Sequence, residues 1–161
     1  MATRWRFSRR LPGVEVLIAL RPTGFDPYAE LLRYQTEILG HAGKYGATCS
    51  FVGTMRDFNE SETVRHMFLD HYPGMTEKQL EKIVEEAQSR WSFLDALVIH
   101  RVGEILPDQP IVLVAVWSSH RGAAFDACRY IMEELKSRAP FWKKEALEQS
   151  ERWVEKNTSG Y

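Results

Sequence analysis

Ile111–Arg138 reads IVLVAVWSSHRGAAFDACRYIMEELKSR, and a change of period inside it decides the fold. From Ile111 to Ser118 the run is short, apolar and rich in β-branched residues, the mark of a buried strand. From about His120 to Arg138 the apolar residues Ala124, Phe125, Cys128, Ile131, Met132 and Leu135 recur at helical spacing. Pro140 ends that helix, because proline lacks an N–H and clashes with the preceding turn. A buried strand running into a one-faced helix predicts a helix packed on a sheet.

Working outward, Ala96–Val102 reads as another strand, linked to 111–118 through Gly103 and the turn LPDQ. So short a connection predicts antiparallel neighbours. Upstream, HYPGMTEKQLEKIVEEAQSRW (His71–Trp91) carries a helix start, with Thr76 and Gln79 spaced as a capping box and Met75 and Leu80 as a hydrophobic staple. Leu80, Ile83, Val84, Ala87 and Trp91 form its buried stripe. Val64–Asp70 and Ala47–Gly53 are strands, and the polar RDFNESE from Arg56 to Glu62 is a loop. Near the start, Val14–Leu20 is a strand, followed by Asp26 as N-cap and Pro27 at the first helical position. Tyr28, Leu31, Leu32, Gln35, Ile38 and Leu39 keep the helical period as far as Gly40. Two short extended pieces, Phe141–Lys144 and Arg152–Glu155, follow the last helix. Strands in hairpins alternating with single helices predict an α+β sandwich, with helices packed on a largely antiparallel sheet.

The 161 residues are expected to form one domain, 1–161, in which the basic stretch 1–13 is a frayed N-terminus. With 21 basic and 22 acidic residues, the chain lacks the positive excess of a protein that wraps nucleic acid or lies on an anionic membrane, so any anion site must be local. The apolar runs fall short of the roughly 20 residues a membrane span needs. MATRWRFSRRLPG has no apolar core of a secretory signal. Cys49 and Cys128 each fall in an apolar segment, which suits small buried hydrophobes and a reducing, cytoplasmic setting.

Candidate chemistry gathers in a few places. SSHRG, Ser118–Gly122, stands at a strand-to-helix junction, where free backbone N–H groups with His120 and Arg121 make an anion site; the alternative is a serine cap with both side chains merely exposed. Arg56 follows a strand end, where binding residues tend to be presented, although a solvated loop arginine has the same signature. In LKSRAPFWKKE, Leu135–Glu145, Lys136 lies at the edge of the helix's buried stripe, and Lys143 can fold back beside it after the proline break. Two lysines beside Phe141 and Trp142 would repel one another and lose hydration, the usual route to a lysine that handles protons or acyl groups. Lysines snorkelling over an aromatic cluster is the other reading. His120 and Lys136 are 136 − 120 = 16 positions apart, about 24 Å along a straight helix, so one ligand serving both would need two copies of the chain. No HExxH, CxxC, glycine-rich phosphate loop or GxSxG elbow is present, and no metal site is predicted.

FVGTMRD, HYPGMTEKQLEKIVEEA, the run from His100 to Glu145 and RWVE resemble the large, catalytic subunit of molybdopterin synthase, over about Ala47–Glu155. The resemblance implies an α/β hammerhead fold and an enzyme of molybdenum cofactor biosynthesis. Such an enzyme converts cyclic pyranopterin monophosphate (precursor Z) to molybdopterin by adding the two dithiolene sulfurs. It implies a small ubiquitin-like partner whose C-terminal Gly-Gly carries a thiocarboxylate, and a heterotetramer around a central dimer of large subunits. No cofactor is implied, since the pterin is substrate and molybdenum is added later by other proteins. By position, Lys136 and Lys143 would be catalytic and Arg56, His120 and Arg121 would bind the anion. Lys144 and Glu145 would adjoin the pocket, and Phe51 and Met132 would line it. Two rival readings are a noncatalytic scaffold for the small subunit and a single-stranded nucleic-acid module that stacks bases on its basic, aromatic edge.

Overall fold

The structure, a computed structural model, describes residues 9–11, 14–40, 43–59, 61–147 and 150–155. Its first half comprises β1 (Arg9–Leu11), β2 (Val14–Arg21), α1 (Pro27–Glu37), β3 (Ala47–Thr54), β4 (Phe58–Asn59), β5 (Glu62–His71) and α2 (Met75–Arg90). The second half comprises β6 (Asp95–Arg101), β7 (Gly103–Ile105), β8 (Pro110–Ser118), α3 (Arg121–Arg138), β9 (Phe141–Leu147) and β10 (Glu151–Val154).

The unbroken apolarity of β8 follows from its place. It lies between β6 and β3, antiparallel to both, in a sheet of order β1-β2-β6-β8-β3. This sheet is covered on both faces, so both sets of alternating side chains must be apolar. Val98, Val112, Val114 and Val116 face the stripes of α2 (Leu80, Ile83, Val84, Ala87) and α3 (Ala127, Cys128, Ile131, Leu135). Leu17, Leu97, Ile99, Leu113, Ala115 and Trp117 face α1, which contributes Tyr34. The β2–β6 pair is parallel and the other described pairs are antiparallel, so the sheet is largely antiparallel as expected. The second sheet runs β10-β9-β5-β4, with β7 on the other edge of β5. It closes over Met55, Val64, Met67, Leu69 and Ile105.

Several local expectations are corrected. Asp26 caps α1 as read, accepting from the N–H groups of Tyr28 (2.9 Å) and Ala29 (3.1 Å). Yet Tyr28 and Leu32 are exposed while Tyr34 is buried, because Tyr34 stacks on Trp117 at 5.0 Å and donates to Asp95 at 2.7 Å. The helix is capped at Ile38 rather than at Gly40. α2 starts two residues earlier than the Thr76–Gln79 box predicts (76 − 74 = 2): Gly74, at φ +81°, is its N-cap, and the Glu77 carboxylate accepts from the Gly74 N–H at 2.7 Å. Thr76 is instead buried and donates its hydroxyl to the Pro140 carbonyl, and Met75 is exposed, so no staple forms. In α3, Phe125 faces outward and Ala127 takes the predicted place in the stripe. The loop 56–62 contains β4, paired with the start of β5, and the two C-terminal extended pieces are a hairpin docked on β5. Of the stretch 1–13 expected to fray, Arg9–Leu11 pairs with β2 as an edge strand, and the remainder lies outside the described residues.

Both cysteines are free. Burial, with Cys49 beside it, pushes the Cys128 thiol well above its ordinary value, in keeping with an inert core role. No helix among the described residues is long and apolar enough to cross a membrane.

Candidate active site

Strand alternation in β9 sorts the basic-aromatic stretch onto two faces. Phe141 and Lys143 turn inward toward the last two turns of α3, which present Met132, Leu135 and Lys136. β3 brings Phe51 and Gly53 against them, the chain beyond β3 adds Arg56, and β6 adds His100. Together they line a cavity of about 410 Å³, within the usual range for a small-molecule site. Glycine at position 53 keeps this space open, since a Cβ there would lie 2.8 Å from Val112 Cγ1 and 3.3 Å from Phe51 Cε1. A contiguous recess shares Arg56, Lys136 and Lys143 and is closed by Asn59 and Glu145.

Glu145 is the buried anion of the site, 1% exposed. Lys143 donates to its Oε1 at 2.6 Å and Asn59 Nδ2 to the same oxygen at 2.9 Å. Arg152 donates to Oε2 through Nε at 3.2 Å and Nη2 at 3.1 Å. Burial alone would raise the carboxyl, but the bonds from Lys143, Asn59 and Arg152 outweigh it and hold Glu145 below the ordinary carboxylate value. It stays ionised and fixes where Lys143 points. The charged neighbour of Lys143 is thus a carboxylate rather than only a second lysine, which revises the repulsion expected from the sequence.

The remaining sequence-derived candidates sit elsewhere. Trp142 and Lys144 are on the outer face of β9, so only Phe141 of the aromatic pair walls the cavity. Lys144 pairs with Glu151, lies 5.9 Å from the Trp153 ring centroid and lines a separate depression with His66 and Phe68. His120 is the N-cap of α3 and Arg121 its first residue, at the opposite end from Lys136, and neither lines the cavity. Arg56 stacks over the Phe58 ring at 4.9 Å.

His100 lines the cavity and was not singled out from the sequence. Its only mark there is that, of the alternating residues Ala96, Val98 and His100 on the face of β6 that meets the helices, it alone is polar. Burial lowers its pKa to about 4, so the imidazole is neutral at physiological pH. The assembled surface can therefore hold an anion among Arg56, Lys136 and Lys143, and a ring against the apolar wall that Phe51, Val112 and Phe141 provide. Among the described residues, no three His, Cys, Asp or Glu side chains gather to bind a metal ion.

The sequence model of one family, described as MoaE protein, matches residues 27–138. The chain belongs to the MoaE family. Curated relatives in that family carry the name molybdopterin synthase catalytic subunit. The one from Pseudomonas aeruginosa is 49% identical over 138 residues, covering 86% of this chain and 89% of its own. The one from Ralstonia nicotianae is 60% identical over 110 residues, covering 68% of this chain and 62% of the relative's length. Among solved structures, the molybdopterin biosynthesis MoaE protein from Burkholderia ambifaria superposes with a TM-score of 0.71 at 46% identity, covering 89% of this chain and 92% of that one. The MoaE match takes in β3, α2, β6, β8 and α3, and so Phe51, Arg56, Met132 and Lys136, while Lys143 and Glu145 lie just beyond it.

Proposed function

We propose that this chain is the catalytic subunit of a molybdopterin synthase, moving sulfur from the thiocarboxylated C-terminus of a small ubiquitin-like subunit to cyclic pyranopterin monophosphate. The observation that carries the reading is the convergence of Lys136, Lys143 and Arg56 on one apolar-walled cavity, in a chain whose relatives bear that name. Neither free cysteine lines the cavity, so the sulfur has to be brought in. A carrier's extended C-terminus suits such an opening, and a phosphate-bearing pterin suits its cations.

The sulfur lone pair of the thiocarboxylate forms a bond to a side-chain carbon of the pterin, and an oxygen substituent leaves with a proton. Water then adds to the resulting thioester carbonyl. The acyl–sulfur bond breaks, the sulfur stays on the pterin as a thiolate, and the carrier departs as a carboxylate. A second carrier repeats the sequence at the neighbouring carbon. Lys136 steadies the developing oxyanion or supplies the proton, and Lys143, held by Glu145, anchors the substrate and serves as a second acid or base. His120 and Arg121 are about 24 Å along α3 from Lys136 and reach the same ligand from a second copy, in a central dimer flanked by two small subunits. On this reading the chain needs no resident metal or cofactor, and its two free cysteines suit the cytoplasm.

The test is reconstitution with a thiocarboxylated small subunit and the cyclic pyranopterin, followed by mass spectrometry for a product with two added sulfurs. Lys136→Ala is expected to fold normally and lose about a hundredfold or more in rate. Turnover near that of the wild type in this variant overturns the assignment, and complex formation without any product leaves only a scaffold.

A further inference from the structure

The cavity has two chemically different ends. Arg56, Lys136 and Lys143 also line the recess closed by Asn59 and Glu145 and make that side cationic; His100, Phe141, Val112 and Gly53 line the main cavity alone and make its other side neutral. His100, Val112 and Gly53 form one cross-strand row through β6, β8 and β3, so the imidazole sits on a rigid sheet rather than on a loop. Two contacts fix its orientation. The ring stacks on Phe141 with centroids 4.0 Å apart and an interplanar angle of 14°. Nδ1 lies 2.6 Å from the Arg101 carbonyl oxygen, which can only accept, so Nδ1 carries the proton. In a neutral ring the other nitrogen, Nε2, is then an acceptor. It has no hydrogen-bond partner among the described residues, in a residue that is 6% exposed and lines the cavity.

We propose that His100 is a substrate-reading residue, whose Nε2 accepts a hydrogen bond from a ring or exocyclic N–H of the pterin while the phosphate lies at the cationic end. The inference rests on the proposed function and extends it to how the ring is recognised. An all-apolar floor would hold any flat ring. One fixed acceptor, aligned by a carbonyl and a stacked phenyl, selects a ring with a donor at that edge, because a buried donor without an acceptor is strongly disfavoured. The stack with Phe141 also ties the acceptor to β9, two residues from Lys143, so reading the ring and placing the reacting lysine share one support.

The experiment measures binding of the cyclic pyranopterin and, separately, of the thiocarboxylated small subunit to the full chain and to His100→Phe and His100→Gln. Phenylalanine keeps a ring for the stack and removes the acceptor; glutamine can place an oxygen near the position of Nε2. His100→Phe is expected to weaken pterin binding about tenfold or more, with carrier binding unchanged, and His100→Gln to recover most of the loss. In wild-type protein with labelled histidine, the His100 Nε2 resonance should move upfield as pterin is added, which reports the hydrogen bond without any variant. An unmoved resonance, or undiminished pterin affinity in a folded His100→Phe, overturns the inference and leaves the proposed function standing. Weakened carrier binding with unchanged pterin binding would assign the acceptor to a backbone N–H of the carrier tail and also overturn it. Wild-type protein that binds no pterin at all overturns both.

Discussion

Replacing Glu145 with glutamine tests whether the site is organised around one buried anion. The carboxylate is 1% exposed, while Lys143 and Arg152 are 26% and 29% exposed. Glutamine keeps the shape and one acceptor, which Asn59 can still use. Its amide group, however, must face cationic donors. Arg152 retains Glu62, with Nη1 to Oε2 at 2.6 Å, so the uncompensated charge falls mainly on Lys143. Breaking a buried ion pair costs roughly 3–5 kcal/mol, and partial hydration of the lysine places this case near the lower bound, at about 3 kcal/mol. For a chain of this size each kcal/mol lowers Tm by roughly 2–4 °C, so the variant should melt about 6–12 °C below wild type at neutral pH. The pH dependence adds a second requirement. Because the folded-state pKa of Glu145 is depressed, its stabilisation is fully present above the unfolded value near 4.5 and is lost as pH falls through the lower folded value. The gap between wild type and Glu145→Gln should therefore close in acid. Scanning calorimetry at several pH values measures both. A Tm within about 2 °C of wild type at neutral pH, or a gap that persists undiminished in acid, would refute the reasoning.

Two further predictions concern the sheet. His100, with its pKa lowered from 6.5 to about 4 by burial and by nearby His71, binds a proton more readily when unfolded. Its contribution, about 3 kcal/mol, is present above pH 6.5 and lost as pH falls toward 4; urea titrations over that range should show the decline, and His100→Phe should remove that part of it. Tyr34→Phe removes the hydroxyl that donates to Asp95 at 2.7 Å beneath α1 and should cost about 1–3 kcal/mol, read as a lower denaturation midpoint at unchanged slope. An unchanged midpoint would mean that this bond adds nothing to the packing of Tyr34 on Trp117.

How far the sequence could be read depended on whether the deciding interaction was local. β8 and α3 were legible because strand and helix periods are properties of neighbouring residues, and the stop at Pro140 is a property of one residue. The α1 N-cap at Asp26 was legible for the same reason. The buried face of α1 was not: Tyr28 and Leu32 keep the period as well as Tyr34 does, and only Trp117 and Asp95, far away in sequence, make Tyr34 the inward residue. The start of α2 is not legible locally, because Thr76 has a competing partner in the Pro140 carbonyl, 64 residues on.

At the site, the stretch from Lys136 to Glu145 could be singled out as unusual because lysines flank an aromatic pair after a proline. The sequence by itself determined the three helices and the longer strands, the family and the set of polar residues available for chemistry, while the short strands β1, β4 and β7 exist only through their pairing partners. Tertiary structure decided which of those polar residues meet. The register of β9 on β5 turns Lys143 and Glu145 inward and Lys144 and Trp142 outward. The length of α3 separates His120 from Lys136, and the pairing of β6 with β8 sets His100 on the cavity floor. The physical reason is that side-chain direction in a strand has a period of two residues, so a single step of register reassigns every residue's face, and register is set by partners distant in the chain.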